Sequence, residues 1–124
     1  MARWLDADSR ISWVSYPGLE GDKYHALAEK YMPNGTCGVI SFGVPGGREK
    51  VSAFLDHLKM VSIATHVADA RSCTLYPAGT THRQLTEEQL EEAGVGIDLV
   101  RLSCGIENTA DIIADLDQAL AAVQ

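Results

Sequence analysis

The 124-residue sequence has no long hydrophobic run, and it contains fewer basic than acidic residues. A membrane-spanning helix needs about 20 consecutive apolar residues, and no segment supplies them. Residues 1–6 also lack the apolar stretch of a secretory signal peptide. These absences predict a cytoplasmic protein.

Acidic residues outnumber basic ones by 17 to 10, which gives a formal net charge of -7. Proteins that bind nucleic acids usually present a basic face, because Lys and Arg neutralise the phosphates. The basic residues of this chain are scattered rather than clustered. We therefore expect neither a nucleic acid nor a membrane surface as a partner.

Paired cysteines and metal-binding motifs are also missing. Cys37, Cys73 and Cys104 are odd in number, far apart and without a C-x-x-C motif, so neither a disulfide framework nor a zinc site is predicted. Each lies in an apolar stretch, where a free thiol behaves as a small hydrophobic group, and we expect all three in the core. The four histidines, which show no H-x-x-x-H or H-E-x-x-H spacing, are His25, His57, His66 and His82.

The hydrophobic pattern predicts one domain over residues 1–124 with interleaved strands and helices. Strand patterns cover residues 11–16, 37–44, 61–64, 72–76 and 98–104. Helical spacing covers residues 23–31, 46–58, 86–94 and 108–123, with a capping box at Thr86 and Gln89. Because the strands are short and the apolar stripes are one-sided, we expect an α+β fold. It would have a sheet of about four strands with helices on one face, and its other face would meet solvent or a partner.

Arg101 is the side chain that the pattern singles out. Alternation along residues 98–104 places it on the face opposite Val100 and Leu102. An arginine inside an apolar strand loses hydration unless it is paired, and its planar fork suits a carboxylate. The pattern leaves open whether Arg101 binds a ligand carboxylate or is a structural residue, either in an internal ion pair or as an exposed surface arginine. Gly46 and Gly47 precede a helix, but a simple strand-to-helix turn is favoured there over a phosphate cradle. No catalytic residue is predicted.

Two longer stretches carry a resemblance to a known family. The run IDLVRLSCGIEN at residues 97–108, continuing into residues 111–120, resembles the closing segment of the Cys/Met-metabolism family of pyridoxal-phosphate enzymes. The loop YPAGTTHRQL at residues 76–85 resembles the O-acetylhomoserine sulfhydrylase branch in particular. The stretches WVSYPGL and LAEKY, further upstream, fit the entry into the small domain of that family.

The resemblance implies that the chain is the small C-terminal, substrate-side domain of a fold-type-I enzyme, which packs on a large cofactor-binding domain absent from it. It implies that Arg101 holds the α-carboxylate of an amino-acid substrate. The position of His66 usually carries Ser or Asn beside that carboxylate, so histidine is a departure, and Thr81 matches a threonine of a loop near the site. Pro45 stands where the family often has Lys, and Gly79 where it usually has Ser.

The cofactor of the parent enzyme is pyridoxal phosphate, which needs a lysine Schiff base, a phosphate cradle and an acidic partner for its ring nitrogen. No lysine here has the Ser/Thr-flanked setting of the cofactor lysine in the family. The lysines are Lys23, Lys30, Lys50 and Lys59. We therefore expect no cofactor on this chain, no cofactor-binding or metal-binding residue, and no catalysis by the chain alone.

Two alternatives from other functional classes stay open. The first is a freestanding amino-acid-binding or regulatory module that uses Arg101. The second is a structural oligomerisation piece, because a face without its partner leaves apolar surface that tends to be covered by self-association. Trp4, Trp13 and Tyr16 are candidates for such a surface, and a homo-oligomer is expected.

Overall fold

Short strands and amphipathic helices follow one another along the chain in the computed structural model, which describes residues 1–124. The helices are α1 (Ala2–Ala7), α2 (His25–Tyr31), α3 (Gly47–Asp56), α4 (Glu87–Glu92) and α5 (Thr109–Ala121). The strands are β1 (Val14–Ser15), β2 (Val39–Gly43), β3 (Ser62–Ile63), β4 (Cys73–Leu75) and β5 (Leu99–Ser103), and a 3-10 turn covers Pro77–Gly79. None of the helices combines the length and the apolar character that crossing a bilayer requires.

The strands form one mixed sheet in the order β1-β2-β5-β4-β3. All neighbours are antiparallel except β3 and β4, which run parallel. Arg101 lies on the central strand β5, opposite Ser41 of β2 and Leu75 of β4. The predicted α+β class is confirmed, and the sheet has one strand more than the expected four because β1 and β3 are two-residue edge strands.

One face of the sheet carries the core. Ile40, Phe42, Val100 and Leu102 of the two central strands are all buried on it, as their alternation in sequence predicts. The rings of Phe42 and Phe54 meet edge to face, with centroids 6.3 Å apart. The core residues that α3 and α5 contribute are Val51, Phe54, Leu55, Ile112, Leu116, Ala119 and Leu120. The helices therefore cover one face, as expected.

The helix boundaries follow their sequence signals. Thr86 accepts a hydrogen bond from the backbone N–H of Gln89, and the Gln89 side chain accepts one from the backbone N–H of Thr86, so the capping box of α4 is confirmed. Gly94, with φ of 70°, ends that helix in the left-handed region that glycine favours. Asn108 caps α5 through the N–H of Ala110.

Three features differ from the sequence prediction. Helix α1 was not predicted, yet it buries Leu5 completely. The apolar side chains of α2 do not pack together on the core, because Leu27 and Tyr31 are exposed and only Ala28 is buried. The cysteines differ among themselves: Cys73 is buried and Cys104 half-buried, whereas Cys37 is exposed. Placing Cys37 in the core was wrong, because it lies outside β2 in the irregular segment after α2.

Asp115 of α5 holds this helix to the segment between α3 and β3. Its buried carboxylate accepts hydrogen bonds from the backbone N–H groups of Lys59, Met60 and Val61, at 2.8 to 2.9 Å. Burial raises the pKa of Asp115, but these N–H groups and Gln118 favour the ionised form more strongly. The pKa of Asp115 is therefore below its usual value of 3.8.

We predict that Asp115→Asn lowers the free energy of unfolding at pH 7 by about 2 kcal/mol. One acceptor oxygen cannot replace a carboxylate that serves three donors, and a lost charge-assisted hydrogen bond costs about 1.5–3 kcal/mol. Because the folded pKa is depressed, this stabilisation is complete above the unfolded pKa near 3.8 and is lost as the pH falls through the folded value. Urea unfolding at several pH values measures it.

The control is Asp56→Asn, because Asp56 is exposed on α3 and its side chain forms no hydrogen bond. This variant should unfold like the parent chain at every pH, and Asp115→Asn should approach the parent only below about pH 4. Equal stability of Asp115→Asn and the parent chain at pH 7 would show that the carboxylate does not hold α5 in place.

Candidate functional site

Arg101 carries a guanidinium that has no acidic partner in the chain. Its Nη2 donates to the backbone carbonyl oxygens of Thr65 at 3.0 Å and His66 at 3.2 Å. None of the ion pairs in the structure includes it. Its Nε is buried without a hydrogen-bond partner, and Nη1 forms no hydrogen bond within the chain. The internal ion pair that the sequence left open is therefore excluded.

This arrangement orients the guanidinium and leaves some of its donors available to an anion. Two carbonyl groups orient the plane of Arg101 at one nitrogen, and the donors on Nη1 stay available. A partly buried guanidinium without a counter-ion raises the free energy of the site, and an unsatisfied buried donor costs about 1–3 kcal/mol. A carboxylate supplies both the charge and the two acceptor oxygens that the planar fork matches.

The segment between β3 and β4, residues 64–72, is held by two side chains that follow Arg101 in sequence, Ser103 at the end of β5 and Glu107 in the loop after β5. Ser103 Oγ accepts from the backbone N–H of Ala68 at 3.1 Å. The Glu107 carboxylate accepts from the backbone N–H of Ser72 at 2.7 Å and from its hydroxyl at 2.8 Å. The Ser72 N–H is the largest cause of a lowered pKa at Glu107, so this acid is ionised at neutral pH. The carbonyls that orient Arg101 therefore belong to a braced segment.

His66 meets Arg101 through its backbone and not through its ring. Its side chain is 57% exposed, and Nδ1 lies 3.2 Å from Asp69 Oδ2. Any residue type could supply the carbonyl that Arg101 uses. The departure from Ser or Asn at this position therefore leaves the anchoring of Arg101 intact.

Thr81 is not brought into contact with Arg101. It is exposed in the loop after the 3-10 turn, and its hydroxyl lies 2.9 Å from Nδ1 of the neighbouring His82. Of the three substrate-site residues expected from the resemblance, Arg101 and His66 are thus joined by a hydrogen bond, and Thr81 stands apart.

The structure adds groups that the sequence did not reveal. Thr65 contributes only its carbonyl, which no side-chain pattern can indicate. Arg48 Nη1 donates to the carbonyl oxygen of Ala78 at 2.6 Å and so ties α3 to the 3-10 turn. The signal for Arg48 was its place after Gly46 and Gly47 at the start of α3, where a basic side chain can reach a neighbouring loop.

The cavities of the chain lie away from Arg101. The largest, of about 570 Å³, is lined by residues that include Met1, Tyr16, Cys37 and Cys104. Arg101 lines none of the three cavities. A guanidinium prepared for an anion thus lies on a face that this chain does not enclose by itself.

Comparison with known proteins gives consistent matches over almost the whole chain. The profile of the family described as Cys/Met metabolism PLP-dependent enzyme matches residues 1–121. The homocysteine synthase of Schizosaccharomyces pombe is 46% identical over 120 residues, which are 97% of this chain and 28% of that protein. The O-acetyl-L-homoserine sulfhydrylase of Leptospira meyeri is 44% identical over 121 residues, which are 97% of this chain and 27% of that protein.

The fold has a counterpart in a crystal structure from Campylobacter jejuni. That protein is described as an O-acetylhomoserine (thiol)-lyase with N'-pyridoxyl-lysine-5'-monophosphate at position 205. It matches with a TM-score of 0.88 and 38% identity, over 97% of this chain and 28% of its own. The chain therefore spans a little over a quarter of the length of the relatives it matches.

Ala68 supplies a test of strain beside Arg101, because it is the one residue other than glycine with a positive φ, at 56°. We predict that Ala68→Gly raises the free energy of unfolding by about 0.5–1 kcal/mol, since relief of a left-handed alanine exceeds the added entropy of the unfolded chain. Thermal unfolding measures the change. The control Ala114→Gly, at an exposed position of α5, should lower stability by about 1 kcal/mol. Destabilisation by both variants would contradict the prediction.

Proposed function

Because the chain belongs to the family of Cys/Met metabolism enzymes that depend on pyridoxal phosphate, we propose that it is their small C-terminal, substrate-side domain. Its parent would be a transferase of the O-acetylhomoserine sulfhydrylase kind. In this proposal Arg101 binds the α-carboxylate of the amino-acid substrate. The observation that supports it is the guanidinium of Arg101 in the middle of the sheet, oriented by two carbonyls and free of any acid.

We expect that the residues of this chain do not hold the cofactor by themselves. Two of the four lysines lie over tyrosine rings at α2, Lys23 over Tyr24 and Lys30 over Tyr31. No lysine side chain forms a hydrogen bond or ion pair with Arg101 or with residues 64–72. Pyridoxal phosphate would supply the electron sink of the reaction from the large domain.

The task of this chain would be to bind and orient. The guanidinium of Arg101 holds the carboxylate, while the carbonyls of Thr65 and His66 keep the guanidinium from turning. The bonds from Ala68 to Ser103 and from Ser72 to Glu107 keep those carbonyls in place. Positioning of this kind lowers the barrier of a reaction because the substrate loses less freedom at the reacting step. His66 and Thr81 remain proposed substrate-site residues that the large domain would bring into use.

The proposal can be tested in a full-length enzyme made by joining this chain to the cofactor-bearing part of the Campylobacter jejuni protein. The TM-score of 0.88 supports such a graft. We predict that Arg101→Lys raises KM for O-acetylhomoserine at least tenfold, because a lysine cannot reproduce the two-bond fork, and about 1.4 kcal/mol corresponds to a factor of ten. KM for sulfide should stay unchanged, and steady-state kinetics measures both.

The matched control is Arg83→Lys, because Arg83 is exposed and its side chain forms no hydrogen bond. The chain without its graft should show no activity and should not bind pyridoxal phosphate tightly and stoichiometrically as an imine that borohydride can reduce. An unchanged KM in Arg101→Lys would remove the carboxylate role. Micromolar binding of amino acids to the isolated chain, lost in Arg101→Ala, would favour a freestanding binding module instead.

Exposed apolar side chains support the further proposal that a large domain or another copy covers this chain. Tyr24, Leu27 and Tyr31 are at least half exposed around α2, and Trp13 is 36% exposed. Trp4 and Tyr16, by contrast, are half-buried against the core. Isolated apolar patches of this kind favour association.

We predict that the isolated chain forms a dimer or a larger species. Multi-angle light scattering after size exclusion measures its mass, and Leu27→Lys together with Tyr31→Lys should shift it toward the monomer. The exposed double substitution Glu87→Lys and Glu91→Lys on α4 is the control and should leave the mass unchanged. A monomer at all concentrations would contradict the prediction.

A further inference from the structure

Three potential metal ligands lie together in a cluster to which the proposed function assigns no metal, although His66 is also one of the proposed substrate-site residues. The cluster consists of His66 Nδ1, a carboxylate oxygen of Asp69 and Cys73 Sγ, which all lie within 4.8 Å of one another. His66 and Asp69 belong to the segment between β3 and β4, and Cys73 is the first residue of β4. We propose that this His66–Asp69–Cys73 cluster binds a divalent metal ion of the zinc type, with water at a fourth position.

The distances suit such an ion. Zinc binds histidine nitrogen at about 2.0–2.1 Å, carboxylate oxygen at about 2.0–2.2 Å and thiolate sulfur at about 2.3 Å. In a tetrahedron these bonds place the ligand atoms roughly 3.3–3.6 Å apart. His66 Nδ1 and Asp69 Oδ2 are already 3.2 Å apart, so an ion could replace the proton they share. The sulfur would have to move by roughly 1 Å to join them.

The charges in the cluster favour a cation. Asp69 contributes a carboxylate, whose Oδ1 accepts a hydrogen bond from the backbone N–H of Arg71 at 3.0 Å and whose Oδ2 lies 3.2 Å from His66 Nδ1. The Cys73 thiol has only a weak bond, to the carbonyl of Arg71 at 3.4 Å. Cys73 is buried, whereas His66 is exposed and Asp69 partly so. A metal could therefore reach the buried sulfur from solvent past His66 and Asp69.

The donor set indicates which metals fit. Nitrogen, oxygen and sulfur together suit zinc or cobalt, whereas magnesium and calcium prefer oxygen alone. Three protein ligands leave a position for water, as in zinc sites that stay open. Arg71 opposes binding, since its Nε lies 3.5 Å from Asp69 Oδ1 and places a positive charge beside the ion. The alternative is that His66 and Asp69 form a surface pair and Cys73 is a core thiol, with no affinity for metal.

Cobalt titration of the chain separates these alternatives. We predict one equivalent of Co²⁺, a thiolate-to-cobalt charge-transfer band in the near ultraviolet, and displacement of the cobalt by zinc. His66→Asn and Cys73→Ser should each weaken binding at least tenfold. The controls His82→Asn and Cys104→Ser replace the same residue types outside the cluster and should keep both the band and the affinity.

Two further variants keep the test decisive. Arg71→Gln should tighten binding by about two- to fivefold, because it removes an exposed positive charge beside the ion. Should Cys73→Ser fail to fold, a chain with Cys37→Ser and Cys104→Ser retains Cys73 as its single thiol and should still give the band. Absence of the band, its persistence in folded Cys73→Ser, or weaker binding by Arg71→Gln would overturn the proposal. Its outcome does not depend on whether Arg101 binds a carboxylate.

Discussion

The hydrogen bonds from Arg101 to the carbonyls of Thr65 and His66 are the contacts on which the functional face depends. They hold a positive charge in the middle of a sheet where no acid of the chain neutralises it. A charge in such a place is costly unless it meets a counter-ion. The backbone contacts orient the guanidinium through Nη2 and leave its Nη1 without a hydrogen bond in the chain, which is what the proposed carboxylate clamp would require.

The rest of the fold explains why that charge stays where it is. The opposite face of the sheet is filled by α3 and α5, whose buried side chains hold β2 and β5 in register. The carboxylate of Asp115 joins α5 to the chain that leads into β3, and Ser103 and Glu107 hold the segment that follows β3. The helical face thus holds the sheet in place, and Arg101 lies on the opposite face.

The open face of the sheet is consistent with the short length of this chain compared with the proteins it matches. Arg101 lines no cavity, and apolar side chains around α2 lie exposed. The chain spans 28% of the homocysteine synthase it matches. Its core closes within this sequence because its helices and sheet bury one another, whereas Arg101 lies on a face that the chain does not enclose.

The sequence by itself determined the α+β class, the strand that carries Arg101, the face on which it lies and the capping of α4, because these depend on local alternation and on contacts a few residues apart. It could not reveal α1, the two-residue strand β3 as the sheet edge or the exposure of Cys37, because each depends on what packs beside it. Only the tertiary structure decided that Arg101 has no acidic partner, that His66 reaches it by a carbonyl, and that His66, Asp69 and Cys73 converge. The physical reason is that these contacts involve the irregular segment between β3 and β4. The sequence of that segment carries no periodic hydrophobic pattern from which its path could be predicted.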